Sequence, residues 1–210
     1  MMNPTFFKPF GPVIYSNMIN ADILNLLHSC KENSKIVNNN VGHHLAGALE
    51  SQLMLIKTLE EESKLSDHIF EHIAMYTSSS PVDAKKQFTL GGKNMWLNIQ
   101  KSGEFNPTHH HSGEISGVIY LDIPKEISEE NKRIAETPNS QQFRSYGEIS
   151  FYYGEDISCS NYFHLMPVTG QIILFPSKLK HSVHPFHSNV ERISVAFNVY
   201  KNKDATNEEY

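Results

Sequence analysis

Residues 105–124 read FNPTHHHSGEISGVIYLDIP. In the second half of this stretch Ile115, Gly117, Ile119, Leu121 and Ile123 alternate with Ser116, Val118, Tyr120 and Asp122. A period of two over nine residues is the pattern of a β-strand. Immediately upstream stand His109, His110 and His111. Successive side chains on a strand point to opposite faces, so His109 and His111 share one face and His110 points away. Neutral imidazole is a common ligand for first-row metals. Two of them at one strand end make half of a rigid metal site.

Working outward, the same alternation recurs on both sides. Met95, Leu97 and Ile99 alternate with Trp96, Asn98 and Gln100, and Ile193, Val195, Phe197 and Val199 alternate with Arg192, Ser194, Ala196 and Asn198. Strand signals also cover 148–153, 162–165 and 171–175, and the polar stretch 125–145 reads as a long surface loop or lid. The first part of the chain has helical spacing instead. Asn20 caps a helix carrying Ile23, Leu27 and Cys30. Leu45, Leu49, Leu53 and Ile56 recur at helical intervals after an Asn-rich loop at 33–44, with Glu60, Glu61 and Glu62 on the solvent side. Ser66 caps a helix with Ile69, Ile73 and Tyr76, which ends at Ser78-Ser79-Ser80-Pro81. Helices followed by about eight short strands predict an α+β fold, the strands forming a jelly roll or small barrel around a ligand. The expected organisation is a single domain over 1–210, with helical support at 1–86, a β core at 87–200 and a frayed tail at 201–210.

Composition narrows the function classes. Of 210 residues, 39% are hydrophobic and 20% charged, which suits a packed core. A formal net charge of −5 and the absence of a basic stripe argue against a nucleic-acid binder. Two cysteines, Cys30 and Cys159, make neither a disulfide framework nor a Cys-rich zinc site and read as reduced structural thiols. No signal peptide and no apolar run of membrane-spanning length are present, so the expected location is cytoplasmic (host cytoplasm for a phage-encoded protein).

His181 supplies a distant third imidazole, and Arg192-Ile193-Ser194 follows it. An Arg facing the inside of a small barrel is costly without an anion. Its fork suits a carboxylate, and Ser194 on the same face adds a hydroxyl donor. A structural ion pair or an outward-facing Arg fits the same residues. Twelve histidines are present in all. His43, His44 and His164 read as surface or packing residues, His184 and His187 as rim or structural ones.

These residues and their order resemble the Fe(II)- and 2-oxoglutarate-dependent oxygenases, in the branch of bacteria and phages related to prolyl hydroxylases. The matching stretches are 95–99 (MWLNI), 105–124, 147–152 (GEISFY), 174–185 (LFPSKLKHSVHP) and 192–198 (RISVAFN). The resemblance implies a double-stranded β-helix, or jelly roll, with supporting helices outside. It implies His109, His111 and His181 as iron ligands and catalytic centre. Arg192, assisted by Ser194, would pair with the remote carboxylate of 2-oxoglutarate. Trp96, Asn98 and Tyr120 lie near the expected site. Asn98 and Tyr120 would contact co-substrate, and packing fits Trp96 and Tyr120 equally. Most of the superfamily carries His-x-Asp or His-x-Glu, where this chain has His111; Glu114 is an alternative ligand. The implied reaction consumes O2 and 2-oxoglutarate, releases succinate and hydroxylates an unactivated C–H, with ascorbate as a reductant. A prolyl or other peptide side chain, or a small metabolite, is the expected substrate.

Two other classes fit parts of the pattern. Gly103, His109, His111 and Glu114 approximate a cupin metal motif, and a cupin dioxygenase or isomerase needs no 2-oxoglutarate. A non-enzymatic jelly-roll module, such as a phage structural or sugar-binding part, needs no reaction at all.

Overall fold

The computed structural model describes residues 3–9, 11–37, 49, 51–55, 63–136, 145–154 and 161–202. Within them lie eleven strands in two antiparallel sheets. The larger sheet has seven strands in the order β1 (Thr5–Phe7), β2 (Ile14–Met18), β9 (Gln171–Pro176), β6 (Ile115–Asp122), β11 (Arg192–Lys201), β4 (Phe88–Gln100) and β3 (Ser51–Met54). The smaller has four, in the order β5 (Asn106–His109), β10 (Lys180–Val183), β7 (Ile149–Tyr152) and β8 (Tyr162–Leu165). From β4 onward the chain crosses repeatedly between the sheets, and this brings histidines from distant sequence positions together. Helices α1 (Ala21–Val37), α2 (Ser63–Thr77), α3 (Pro81–Gln87) and α4 (Lys125–Ala135) complete a mixed α and β architecture. No described helix is long and apolar enough to cross a membrane.

Two apolar layers hold the structure. Ile193, Val195, Phe197 and Val199 of β11 pack with Ile119 and Leu121 of β6 against α1 and α2 residues such as Ile23, Leu27, Ile69 and Ile73. The opposite face of the large sheet contributes Val118, Tyr120, Ile173 and Phe175 to a second layer with Ile149 and Phe151 of the small sheet. The alternation read along β6 and β11 is therefore the division between helix-facing and sheet-facing surfaces. Ile123, just past the end of β6, joins the second layer instead.

Several expectations need correction. The helix expected from Leu45, Leu49, Leu53 and Ile56 is, at 51–54, the edge strand β3, paired with β4. Spacings of four are even, so they also place residues on one face of a strand, and the pattern could not distinguish the two. Positions 45–48, 50 and 56 lie outside the described residues. Within 1–86, expected to be mainly helical, β1, β2 and β3 join the large sheet. β2 shows no clean alternation because both its faces are covered: Ile14 by the small sheet and Tyr15 by helices. The expected loop or lid at 125–145 contains α4. Its buried residues are Ile127 and, three residues on, Glu130, and most of its other positions are charged, so the segment reads as polar loop. Glu130 accepts bonds from the His187 and Ser188 amides, at 3.1 and 3.0 Å, and from the Ser188 hydroxyl at 2.8 Å. It thereby pins the connection between β10 and β11. Ser66 lies inside α2 rather than capping it, whereas Asn20 caps α1 through a 2.9 Å bond from the Ile23 amide. Ser78–Pro81 does end a helix, and Ser80 then caps α3, which the sequence reading omitted. Cys30 is buried, while Cys159, His43 and His44 lie outside the described residues.

A buried relay lies behind the large sheet. The Glu71 carboxylate accepts from His68 Nδ1 at 3.2 Å, so His68 Nε2 accepts from His72 Nε2 at 3.1 Å. That leaves His72 Nδ1 to accept from the Tyr15 hydroxyl at 2.6 Å. Burial, aided by His68, lowers the His72 pKa from 6.5 to about 4. As pH falls from 6.5 toward 4, the unfolded chain takes up a proton that the folded chain refuses, so stability is lost across that window. At ~1.4 kcal/mol per tenfold, the loss is on the order of 3 kcal/mol. Urea midpoints measured against pH should fall more steeply for the wild type than for His72→Gln, by about that amount. Parallel curves would refute the assignment.

Candidate active site

The antiparallel pairing of β5 with β10 places His109 directly opposite His181. β5 ends at His109, and the chain then turns so that His111 donates its backbone amide to Ser177 O at 2.9 Å. The ring centroids of His109 and His181 are 4.4 Å apart, those of His109 and His111 4.8 Å, and those of His111 and His181 5.1 Å. One ligand nitrogen from each lies within 4.8 Å of the other two. His110 is exposed, as expected for the middle residue of the run.

The ring orientations leave lone pairs facing inward. His109 Nδ1 donates to Pro107 O at 2.7 Å, and His181 Nδ1 donates to Leu179 O at 2.9 Å. A carbonyl can only accept, so each Nδ1 carries the proton and each Nε2 is free to ligate, the arrangement in which a backbone acceptor orients a metal-binding imidazole. Burial lowers the pKa of all three, and repulsion from neighbouring histidines adds to it, from His110 for His109 and from within the trio for His111 and His181; His111 is at about 4 and His181 well below 6.5. They are therefore neutral near pH 7, as ligation requires. Phe151 and Phe175 wall His181, at centroid distances of 6.3 and 4.8 Å, and Trp96 meets His111 edge-on at 5.7 Å. Glu114 does not join this cluster; its carboxylate lies 3.5 Å from Lys201 Nζ.

The adjoining wall comes from the inner face of the large sheet. Cross-strand register aligns Arg192 with Gln100, and Ser194 with both Asn98 and Tyr120. Arg192 and Ser194 are each 3% exposed. Arg192 Nη1 donates to Gln100 Oε1 at 3.2 Å, while Arg192 Nε and the Tyr120 hydroxyl, both buried, have no hydrogen-bond partner among the described residues. The guanidinium carbon lies 5.0 Å from the Tyr120 ring centroid. Burial raises the Tyr120 pKa to about 12 against the opposing pull of Arg192, so the phenol keeps its proton. Among the described residues no carboxylate pairs with Arg192. A buried cation and a buried hydroxyl with spare donors are the features a dianionic ligand would satisfy, and three convergent imidazole nitrogens suit a first-row metal. The residues present thus fit both groups.

Asn98 accepts from Gln52 Nε2 at 2.7 Å. Nothing in the sequence pointed to Gln52, because β3 was read as a helix. Nor did it single out the chain Ser177–Ser116–Asn198, with links of 3.0 and 2.7 Å, although Asn198 stands on the Arg192 face. His184 bonds Ser150 at 2.7 Å. His164 pairs with the buried Glu148.

Comparison with known proteins places these features in a family. The family model described as "Putative 2OG-Fe(II) oxygenase" matches residues 94–198, half of the chain, and includes every candidate ligand. No curated protein matches significantly. Among solved structures, a prolyl-4-hydroxylase from Pseudomonas putida shares 13% identity at a TM-score of 0.53, covering 90% of this chain and 91% of its own. A prolyl hydroxylase from Trichoplax adhaerens, in complex with a hypoxia inducible factor peptide fragment, shares 12% at 0.53, with 93% and 86% covered. HygX from Streptomyces hygroscopicus, with nickel, 2-oxoglutarate and hygromycin B bound, shares 9% at 0.56, with 90% and 83% covered. At these identities the likeness is one of fold. The family match sets aside the cupin and the non-enzymatic module, and the chain belongs to the 2OG-Fe(II) oxygenases, enzymes that depend on iron and 2-oxoglutarate.

Proposed function

We propose that the protein hydroxylates an unactivated C–H bond of a peptide side chain, a prolyl residue being the first candidate, from a single jelly-roll domain formed by the two sheets. In this reading His109, His111 and His181 hold Fe(II), and Arg192 binds the remote carboxylate of 2-oxoglutarate with Ser194, Asn98 and Tyr120 around it. The iron, 2-oxoglutarate and O2 together supply the oxidising power, with 2-oxoglutarate converted to succinate and CO2. The chain's own residues do the rest. Backbone carbonyls at Pro107 and Leu179 fix the imidazole orientations. Phe151, Phe175 and Trp96 keep water from the metal side. Fold-level likeness to two prolyl hydroxylases supports a peptide substrate. The HygX structure, with hygromycin B bound, keeps a small molecule as the second candidate.

The observation carrying the reading is the buried Arg192, unpaired with any described carboxylate, on the wall beside three convergent histidines. Incubation with Fe(II), ascorbate and 2-oxoglutarate should yield succinate, slowly even without substrate. Arg192→Ala should weaken 2-oxoglutarate binding by roughly 100-fold, the scale of truncating a buried charge pair, with metal binding retained. Absence of 2-oxoglutarate binding by the wild type would end this assignment of the site.

A further inference from the structure

The guanidinium of Arg192 is held by a neutral side chain, and the way that side chain is tethered has a functional consequence. Gln100 is 1% exposed and lies opposite Arg192 in the register of β4 and β11. Its Nε2 donates to Glu104 O at 2.6 Å and to His184 O at 3.1 Å. Both amide hydrogens are thereby used, and carbonyls cannot face the amide oxygen. The amide orientation is fixed by its partners, with Oε1 toward Arg192.

The two carbonyls belong to significant segments. Glu104 lies in the turn that leads from β4 into β5 and His109, and His184 directly follows β10, which carries His181. One side chain therefore ties the approach to one candidate ligand, the exit from another, and the buried arginine. It does so without charge. The Tyr120 ring beside the guanidinium is also uncharged near neutral pH, its pKa raised by burial. A carboxylate at position 100 would pair with Arg192 permanently, and an incoming anion would have to displace it. An amide orients the fork and leaves its charge for a ligand.

We infer that Gln100 is the positioning residue of the anion site: a neutral, doubly tethered acceptor that aims Arg192 at the co-substrate's second carboxylate while leaving its charge uncompensated. This rests on the assignment of Arg192 under Proposed function.

The test compares wild type, Gln100→Glu and Gln100→Met, each loaded with Ni(II). Calorimetric titration uses 2-oxoglutarate and, separately, pyruvate, which has the same keto-acid end and lacks the second carboxylate. Gln100→Glu should bind 2-oxoglutarate at least roughly tenfold more weakly, with Ni(II) and pyruvate affinities unchanged. Gln100→Met, which removes the hold without adding charge, should fall between Gln100→Glu and wild type. Wild-type 2-oxoglutarate affinity in Gln100→Glu, or parallel loss of both keto acids in the two variants, would overturn the inference. Should Gln100→Glu fail to fold, Gln100→Met decides: selective weakening of 2-oxoglutarate supports the inference, while an unchanged or parallel response overturns it. A wild type that binds pyruvate and not 2-oxoglutarate would instead overturn the assignment of Arg192 itself.

Discussion

Replacing His181 with Ala is expected to abolish metal binding at the site and to lower succinate formation by more than about 1,000-fold. Of the three imidazoles it is the only one classed as buried, at 4% exposure, and its ring contacts both of the others. Its Nδ1 is committed to Leu179 O, so its Nε2 has a fixed direction. Loss of one ligand from a three-ligand site removes the chelate geometry, and the Phe151 and Phe175 rings leave an apolar wall where a replacement water would need polar partners. The fold should survive, because a neutral ring is removed and no charge is stranded. Metal that binds only the folded state raises the thermal midpoint by mass action. Added Ni(II) should therefore stabilise the wild type and His110→Ala, whose parent side chain is exposed, but leave His181→Ala unmoved. A variant that still gains stability from Ni(II) as the wild type does would mean that His181 is not a ligand.

The candidate site was legible in the sequence to an unusual extent because its residues stand on strands whose other face is plainly apolar. Along β11 the helix-facing side is Ile193, Val195, Phe197 and Val199, so Arg192 and Ser194 had to face the other way. His109 and His111 needed only the period-two rule, even though His111 lies just beyond the strand. What stayed hidden depends on partners that periodicity cannot supply. Gln100 was visible as the next residue on the Asn98 face, yet its role follows from register: it lies opposite Arg192 and beneath two carbonyls from separate connections. β2 was missed because burial on both faces erases alternation, and β3 because a spacing of four serves helix and strand alike. In α4 the inward stripe carries Glu130, whose burial makes sense only once the His187 and Ser188 amides that it accepts from are in place. The β5 and β10 strands are four residues each and polar, which is what sequence patterns detect least well.

Gly117→Ala should be among the most damaging single changes outside the site, by about 2–3 kcal/mol, from a substitution that adds one methyl group. Gly117 lies within β6, opposite Phe197 on β11. A Cβ there would sit 2.1 Å from Phe197 Cζ, 2.4 Å from Cε2 and 2.7 Å from Cε1. None of these separations is possible between carbon atoms, so the ring must leave its position. It has little room to do so: Phe197 is 0% exposed in the layer between the sheet and the helices. Glycine costs a strand some conformational entropy and packing, so its presence here is best explained by the ring that crosses over it. The argument is steric and therefore pairwise. Phe197→Leu alone should cost on the order of 1–2 kcal/mol through lost packing. In the double variant Gly117→Ala/Phe197→Leu the new methyl occupies part of the space the ring gave up, so the combined loss should be smaller than the sum of the two single losses. Urea unfolding of the four proteins gives the coupling energy directly. Because β6 and β11 carry Tyr120, Arg192 and Ser194 on their opposite faces, Gly117→Ala should also weaken 2-oxoglutarate binding, and the double variant should recover part of it. Strict additivity of the two losses would show that the ring and the glycine do not constrain each other and that the damage has another source.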